Sequence, residues 1–167
     1  MIRIICVGKI KEDYLVKMIE DYSKRINKYH KLEIVEIIDT NKKEEGIKIL
    51  QKLNNKSYKV ALTIEGSKMT SPEFSNFIDK NLMTYSNIDF IIGGSNGIDS
   101  KVLKEVNCEL SFSSLTFPHG LFRGILLEQI YRAFKIINNE TYHKWGKYGR
   151  FNICSRNCIY KRWKIIS

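Results

Sequence analysis

Strand-like and helix-like segments alternate along the first 137 residues, and this order constrains the fold more than any other feature of the sequence. Residues 88–92 are uniformly apolar, as in a central parallel strand, whereas residues 12–26 place apolar side chains on one helical stripe. Strands are predicted over residues 2–7, 32–38, 58–64, 88–92 and 108–112, and helices over residues 12–26, 43–53, 71–83, 99–106 and 118–137. Ser71 is predicted to cap the third helix, with Pro72 at its first position. The alternation predicts an α/β fold with a mainly parallel sheet and helices on both faces.

Ligands in folds of this kind bind beyond the carboxyl ends of the strands. The candidate ligand-binding segments are therefore residues 62–68, 92–97 and 111–119. The second contains Gly93, Gly94 and Gly97, and glycine permits positive φ and a close approach of the backbone to a ligand. It matches neither the dinucleotide-binding glycine pattern nor a phosphate-binding loop, so these ligands are disfavoured. A plain turn between a strand and a helix would use the same residues, so a functional role and a structural role both stay open.

Length and charge narrow the class of protein. The 167 residues suit one domain, and no apolar run approaches the roughly 18–20 residues that a membrane span needs. The first seven residues have the pattern of a strand rather than of a leader peptide, so we expect a cytoplasmic protein without membrane contact. The net charge of +10 favours a polyanionic partner such as RNA, although the excess of lysine is also typical of AT-rich coding sequence.

The four cysteines do not form a recognisable metal-binding pattern. Cys6 and Cys108 lie in apolar strand-like segments and are expected to be buried free thiols. Cys154 and Cys158 lack a second pair of ligands at zinc-site spacing, and His143 is the only histidine near them. We therefore expect no metal.

Several motifs, taken in chain order, carry a family resemblance. They are Val7-Gly8-Lys9-Ile10-Lys11, Tyr22-Ser23-Lys24-Arg25, residues 62–66, residues 90–97, residues 110–113, Thr116-Phe117-Pro118-His119, Arg123, Glu128-Gln129, Tyr131-Arg132-Ala133 and Tyr142-His143-Lys144. With these motifs, residues 1–144 resemble the ribosomal RNA large subunit methyltransferase H family, the smallest members of the SPOUT superfamily. The resemblance implies a homodimer, a C-terminal deep trefoil knot, and S-adenosylmethionine bound bent in that knot. It also implies methylation at N3 of a pseudouridine in 23S rRNA of the assembled 70S ribosome.

Nine residues are expected to form the cofactor pocket: the resemblance implies eight of them, and Gly94 is added because a glycine there lets the backbone pass close to the ligand. They are Leu62, Gly93, Gly94, Phe112, Ser113, Ser114, Leu115, Thr116 and Phe117. An adenine ring needs an apolar slot with main-chain donors and acceptors, which loops at strand ends supply. A side chain at Gly93 or Gly94 is expected to block this pocket. The alternative for Leu62 is a plain core leucine.

Five residues are expected to act in catalysis: His119 and Arg123 because of their position at the start of the last helix, and Tyr142, His143 and Lys144 because they match the family's terminal motif. His119 begins the last helix, whose positive end disfavours imidazolium, so a neutral ring would hydrogen-bond near the methyl group; otherwise it only caps the helix. Arg123, one turn later, would clamp an RNA phosphate or orient the base, or else form only a surface ion pair. The 142–144 motif is expected to reach the active site across the dimer. There His143 would assist loss of the N3 proton and Lys144 would stabilise the anionic base.

Residues 145–167 form a basic C-terminal extension that the resemblance does not cover. They hold six basic residues and no acidic one, which leaves residues 1–144 with a net charge of +4. Aromatic residues among the basic ones suit RNA binding, whereas the lack of periodicity suits an extension without a function. Two other functions stay open: a non-catalytic RNA- or ribosome-binding protein that retains the fold, and a flavodoxin-like small-molecule binder. The absence of a phosphate loop counts against the latter.

Overall fold

Five parallel strands form one sheet at the centre of the computed structural model, which describes residues 1–142. The strands are β1 (Ile2–Val7), β2 (Leu32–Ile37), β3 (Ser57–Lys68), β4 (Asn87–Ile92) and β5 (Cys108–Ser111). The helices are α1 (Asp13–Ile26), α2 (Lys42–Lys52), α3 (Ser71–Thr84), α4 (Ser100–Leu103) and α5 (His119–Ile137). The strand order is β2-β1-β4-β3-β5, and every neighbouring pair is parallel. The α/β prediction is confirmed. Several predictions lie outside the described residues: those for His143, Lys144, Cys154, Cys158 and the extension 145–167.

Helices cover both faces of the sheet, as the sequence predicts. Successive residues of a strand point to opposite faces, so Phe90 and Ile91 of β4 enter two different cores. Helices α1, α3 and α5 pack on the face of Phe90, and α2 and α4 pack on the face of Ile91. Their buried side chains include Ile26, Ile78, Leu126, Ile49 and Val102. None of the helices within residues 1–142 is long and apolar enough to cross a membrane.

The strand order brings the carboxyl ends of β1, β4, β3 and β5 to one edge of the sheet. The register aligns Cys6 with Ile92 and Leu62 with Leu110. Segments that follow these strands therefore lie side by side, although they are far apart in the sequence. The C-terminal trefoil knot stays a prediction.

Strand β3 is longer than predicted because it contains an irregularity. Leu62 and Ser67 both align with Leu110 of β5, so residues 63–66, here called the β3 arch, are left unpaired between them. At Gly66 the arch returns to the sheet, and a Cβ atom there would lie only 2.6 Å from the backbone nitrogen of Leu110. The segment that the sequence indicated as a loop is therefore the second half of a strand with an arch.

The start of α3 corrects the predicted helix cap. Thr70, not Ser71, is the N-cap: its hydroxyl accepts a hydrogen bond from the Glu73 amide, and the Glu73 carboxylate accepts one from the Thr70 amide at 2.7 Å. Pro72 lies in the first turn, where its missing N–H costs nothing. The Ser71 hydroxyl instead donates to Oε1 of Gln129 at 3.0 Å and links α3 to α5. Helix α4 is also shorter than predicted, since it ends at Leu103.

Candidate active site

A cleft of about 640 Å³ lies beyond the carboxyl ends of the strands. It is framed by the β3 arch, by residues 93–97, here called the glycine loop, and by residues 112–117, here called the 112–117 loop. Its lining residues are Lys42, Leu62, Thr63, Ile64, Glu65, Ile92, Gly93, Gly94, Ser95, Gly97, Ile98, Leu103, Glu109, Phe112, Ser113, Leu115, Thr116, Phe117, Pro118, His119 and Phe122. The volume falls within the range of about 300–1,000 Å³ that small-molecule sites occupy.

Eight of the nine residues predicted for a cofactor pocket line this cleft. Leu62 contributes from β3, Gly93 and Gly94 from the glycine loop, and the remaining five from the 112–117 loop. Ser114 is the ninth, and its hydroxyl accepts a hydrogen bond from Nζ of Lys68 at 2.6 Å instead of lining the cleft. The three segments that the sequence indicated therefore come together at one site.

Two serine hydroxyls give the 112–117 loop a defined path. Oγ of Ser111 donates to the Ser113 carbonyl at 3.1 Å, and Oγ of Ser113 accepts from the Leu115 amide at 2.9 Å. Short side chains that bond to nearby backbone groups stabilise turns where helices and strands cannot form. The loop consequently keeps the side chain of Leu115 74% exposed beside the cleft.

Phe122 of α5 holds both ends of the same loop. Its ring stacks on Phe117, with centroids 5.9 Å and planes 5° apart, and it meets Phe112 edge-on at 5.4 Å and 75°. Phe112 also contacts Phe74 of α3 edge-on at 5.7 Å. The sequence places Phe122 only within the predicted helix over residues 118–137, because a core side chain and a cleft side chain have the same helical spacing. Its contact with the loop is visible only in the fold.

The glycine loop is tight because of its own packing. A Cβ atom at Gly93 would lie 2.8 Å from the Gly97 carbonyl carbon and from Cγ1 of Ile98, and one at Gly94 would lie 3.0 Å from Oε2 of Glu45. A side chain at Gly93 would therefore collide with the backbone of Gly97, whereas one at Gly94 would require only that Glu45 and Val7 shift slightly. Gly97 has a positive φ of +73° and its amide donates to the Gly94 carbonyl at 3.0 Å, which closes the turn.

His119 lines the cleft as the first residue of α5. Pro118 precedes it and makes no side-chain capping hydrogen bond. The imidazole packs over Gly8 at the end of β1, since a Cβ atom built on Gly8 would lie 3.1 Å from Nε2 of His119. The predicted location of His119 beside the pocket therefore agrees with the structure, and its chemical role stays a prediction.

Arg123 is buried behind this helix start and does not line the cleft. Its Nη1 atom donates to Oε1 of Glu36 at 2.6 Å, and its Nη2 atom donates to the Gly8 carbonyl at 2.9 Å. The sequence left open an RNA contact or a surface ion pair. The structure contains the ion pair, with its Arg123 end buried and its Glu36 end exposed.

Comparisons with known proteins identify the family of this chain. The family model described as a predicted SPOUT methyltransferase matches residues 1–143. Ribosomal RNA large subunit methyltransferase H of Clostridium beijerinckii is 50% identical over 157 aligned residues, which cover 86% of this chain and 99% of that relative. The chain belongs to the ribosomal RNA large subunit methyltransferase H family of SPOUT methyltransferases.

Other comparisons with this SPOUT methyltransferase point the same way. The proteins of the same name from Clostridium kluyveri and Clostridium tetani are 48% and 46% identical, again over 86% of this chain and 99% of each relative. Among solved structures, a probable methylase family protein from Haemophilus influenzae superimposes with a TM-score of 0.52 at 10% identity, covering 86% of this chain and 70% of that one. At so low an identity this likeness concerns the fold alone. The family and the fold class predicted from the sequence are confirmed.

Tyr142 of this methyltransferase does not line the cleft of its own chain. Its hydroxyl donates to Oε1 of Glu128 at 3.2 Å, its ring meets Tyr131 edge-on at 5.0 Å, and the Arg132 guanidinium lies 5.0 Å above the ring. Burial raises the pKa of the Tyr142 hydroxyl above its usual value. Tyr142 therefore packs against the C-terminal half of α5. His143 and Lys144 of the same motif lie outside the described residues.

Charged residues in the cleft wall are what sequence reasoning missed. Lys42, Glu65 and Glu109 all line the cleft, and Oε2 of Glu109 accepts a hydrogen bond from the Thr63 hydroxyl at 2.9 Å. Lys42 begins α2, which reaches the site only because β2 and β1 are neighbours in the sheet. No local pattern could have identified it. Glu65 lies within residues 62–68, which the sequence did indicate, but no sequence pattern assigned a role to its charge.

The described cysteines are free thiols, and Cys6 is more enclosed than Cys108. Burial raises the pKa of Cys6 to about 11 and also raises that of Cys108. Within residues 1–142 no group of three or more histidine, cysteine, aspartate or glutamate side chains is arranged to hold a metal ion.

Proposed function

We propose that this rRNA methyltransferase transfers a methyl group from S-adenosylmethionine to N3 of a pseudouridine in 23S rRNA. The substrate is the assembled 70S ribosome in the cytoplasm, and the enzyme acts as a homodimer. The observation that carries the proposal is the cleft in which eight predicted cofactor residues converge. The 48% identity to a protein named for methylation of large-subunit rRNA supports the RNA substrate. The match of residues 1–143 supports a single domain over residues 1–144, followed by the extension.

The cleft suits S-adenosylmethionine in size and in chemistry. Leu62, Leu115 and Phe117 offer apolar surface to the adenine ring. The backbone of the 112–117 loop and of the glycine loop offers donors and acceptors beside it. Glu65 and Glu109 add negative charge near a ligand whose sulfonium and amino groups are positive. When bound, the cofactor supplies an electrophilic methyl group on sulfur.

The chain's own residues have two tasks in this reaction. They must align N3 of the base with the methyl group, and they must accept the N3 proton, because the N–C bond forms as the proton is lost. His119 lines the cleft and offers an imidazole that can hydrogen-bond to the base. We assign proton removal to His143 and stabilisation of the anionic base to Lys144. Together with Tyr142, both would act on the cleft of the partner subunit.

Methyl transfer to ribosomes tests the proposal most directly. Full-length protein is incubated with tritiated S-adenosylmethionine and either 70S ribosomes or free 23S rRNA, both from a strain that lacks the modification. Label is expected on 70S ribosomes and not on free rRNA, and nucleoside mass spectrometry should identify N3-methylpseudouridine. Equal labelling of free rRNA would contradict the requirement for the assembled ribosome. A different methylated nucleoside would contradict the assigned position.

Cofactor calorimetry distinguishes the enzyme from the non-catalytic alternative. S-adenosylmethionine is titrated into the full chain and into a chain ending at residue 144, and light scattering measures the mass of each. Binding by a dimer is expected in both cases. Binding without methyl transfer by either form would favour an RNA- or ribosome-binding protein that retains the fold. A monomeric mass would refute the homodimer.

A further inference from the structure

Arg123 connects α5 to the ends of β1 and β2. Nη1 donates to Oε1 of Glu36 at 2.6 Å, and Nη2 donates to the Gly8 carbonyl at 2.9 Å. The side chain is 2% exposed, and its Nε atom has no hydrogen-bond partner among residues 1–142. An RNA phosphate is bound by the exposed fork of a guanidinium, and here both terminal nitrogens are held by the protein. Arg123 therefore acts inside the molecule.

Gly8 transmits this restraint to His119. Its φ of +84° is accessible to glycine. Its amide donates to the Ile37 carbonyl at 2.8 Å and its carbonyl accepts from Arg123, so the peptide groups on both sides of Gly8 are held. His119 precedes Arg123 by four residues on α5, so both side chains approach Gly8 from the same helical face. The imidazole then packs over Gly8, with Nε2 within 3.1 Å of where a Cβ atom would lie. His119 thus rests on backbone that Arg123 and Glu36 hold in place.

We propose that Glu36, acting through Arg123 and the Gly8 carbonyl, is a positioning residue that holds His119 at the cleft for methyl transfer. The inference rests on the proposed function. A buried guanidinium is tolerated only with its charge paired, so removing Glu36 leaves Arg123 free to turn away from Gly8. A displacement of a catalytic group by about 1 Å can lower a rate about 100-fold. Glu36 should therefore control turnover rather than cofactor affinity.

The test compares Glu36→Ala with Glu36→Gln in the full-length protein, since glutamine still offers an oxygen to Nη1. Turnover on 70S ribosomes gives kcat and the KM for S-adenosylmethionine, and two-dimensional NMR of the histidine rings reports the position of His119, with His30 as internal reference. Asp21→Ala is the matched control, because it removes the acidic partner of Arg25 from an exposed ion pair of similar length, 2.7 Å.

For Glu36→Ala we expect a kcat about 10- to 100-fold lower, a KM for S-adenosylmethionine within about threefold, and a shifted His119 ring signal. Glu36→Gln should recover most of the rate and the original signal, and Asp21→Ala should resemble the unaltered protein. An unshifted His119 signal in Glu36→Ala would overturn the proposal. So would a loss of kcat that glutamine fails to restore. If the unaltered protein methylates no RNA, the proposed function fails, and the His119 signal still decides the positioning role.

Arg123→Met separates positioning from an RNA contact. A residue that binds a phosphate contributes to the salt dependence of RNA affinity, and its removal lowers that slope by about 1. Because Arg123 is enclosed by Glu36 and Gly8, we expect kcat to fall while the salt slope for ribosome binding stays unchanged. A slope reduced by about 1 would show that Arg123 binds RNA, and the positioning role would be wrong.

Discussion

Phe122→Ala is expected to weaken binding of S-adenosylmethionine while the chain stays folded. Phe122 supports the 112–117 loop through two ring contacts, with Phe117 and with Phe112. An aromatic pair contributes about 0.5–1.5 kcal/mol beyond its buried area, so the substitution removes roughly 1–3 kcal/mol of the free energy that holds the loop in its binding shape. At about 1.4 kcal/mol for each factor of ten, the Kd should rise roughly 5- to 140-fold.

Isothermal titration calorimetry of the full chain measures this Kd, and Phe77→Ala is the matched control. Phe77 is also half-buried and also has two ring partners, Phe74 at 6.2 Å and Tyr58 at 5.6 Å, but it does not line the cleft. Both variants should lose a similar free energy of unfolding, measured by urea denaturation, and only Phe122→Ala should lose affinity. An unchanged Kd in Phe122→Ala, or an equal loss in both variants, would refute the role given to this ring.

Three further predictions concern stability and reactivity. Gly66→Ala brings a Cβ atom within 2.6 Å of the β5 backbone, so the free energy of unfolding should fall by about 1–3 kcal/mol in urea titrations; an unchanged midpoint would contradict the tight arch. Burial raises the pKa of Cys6 to about 11, so maleimide labelling at about pH 8, followed by peptide mass spectrometry, should be much slower at Cys6 than at Cys108. Burial also raises the pKa of Asp89 despite the opposing charge of Arg3. The protonated carboxyl therefore stabilises the fold below the unfolded pKa of about 3.9, and this contribution is lost as pH rises through the higher folded pKa. Relative to Asp89→Asn, the unaltered protein should lose stability upward from about pH 4, and a constant difference would contradict this assignment.

The types of the secondary-structure elements followed from local pattern. Alternation and apolar runs predicted all five strands, and helical spacing or cap residues predicted all five helices, because each signal lies within one element. The sequence predicted the ends of these elements less accurately than their types. The second half of β3 depends on pairing of Ser67 with β5 beyond the arch. The N-cap of α3 is Thr70, which forms a capping box with Glu73, and the predicted cap Ser71 bonds to Gln129 of α5.

The segments that meet at the cleft followed from the sequence, whereas the contacts of their side chains did not. Their position after the predicted strands identified the three segments of the cleft, but Ser114 bonds to Lys68, and the steric limits at Gly93 come from Gly97 and Ile98. These differences share one cause. A motif records which residue types recur together, whereas the direction of a side chain depends on the neighbours that the fold supplies. Lys42, for example, lines the cleft because the fold brings the start of α2 to this edge of the sheet.

The sequence by itself determined the α/β class, the order of the elements and the family, because periodicity and motif text are properties of short stretches of chain. Only the tertiary structure decided that Arg123 is an internal residue, because its partners Glu36 and Gly8 are 87 and 115 positions away in the chain. The same holds for Phe122, whose ring supports a loop that the helical pattern alone could not connect to it. The burial and the partners of a side chain are set by the packing of distant strands and helices. They decide whether a charged or aromatic side chain contacts a ligand or supports a residue that does.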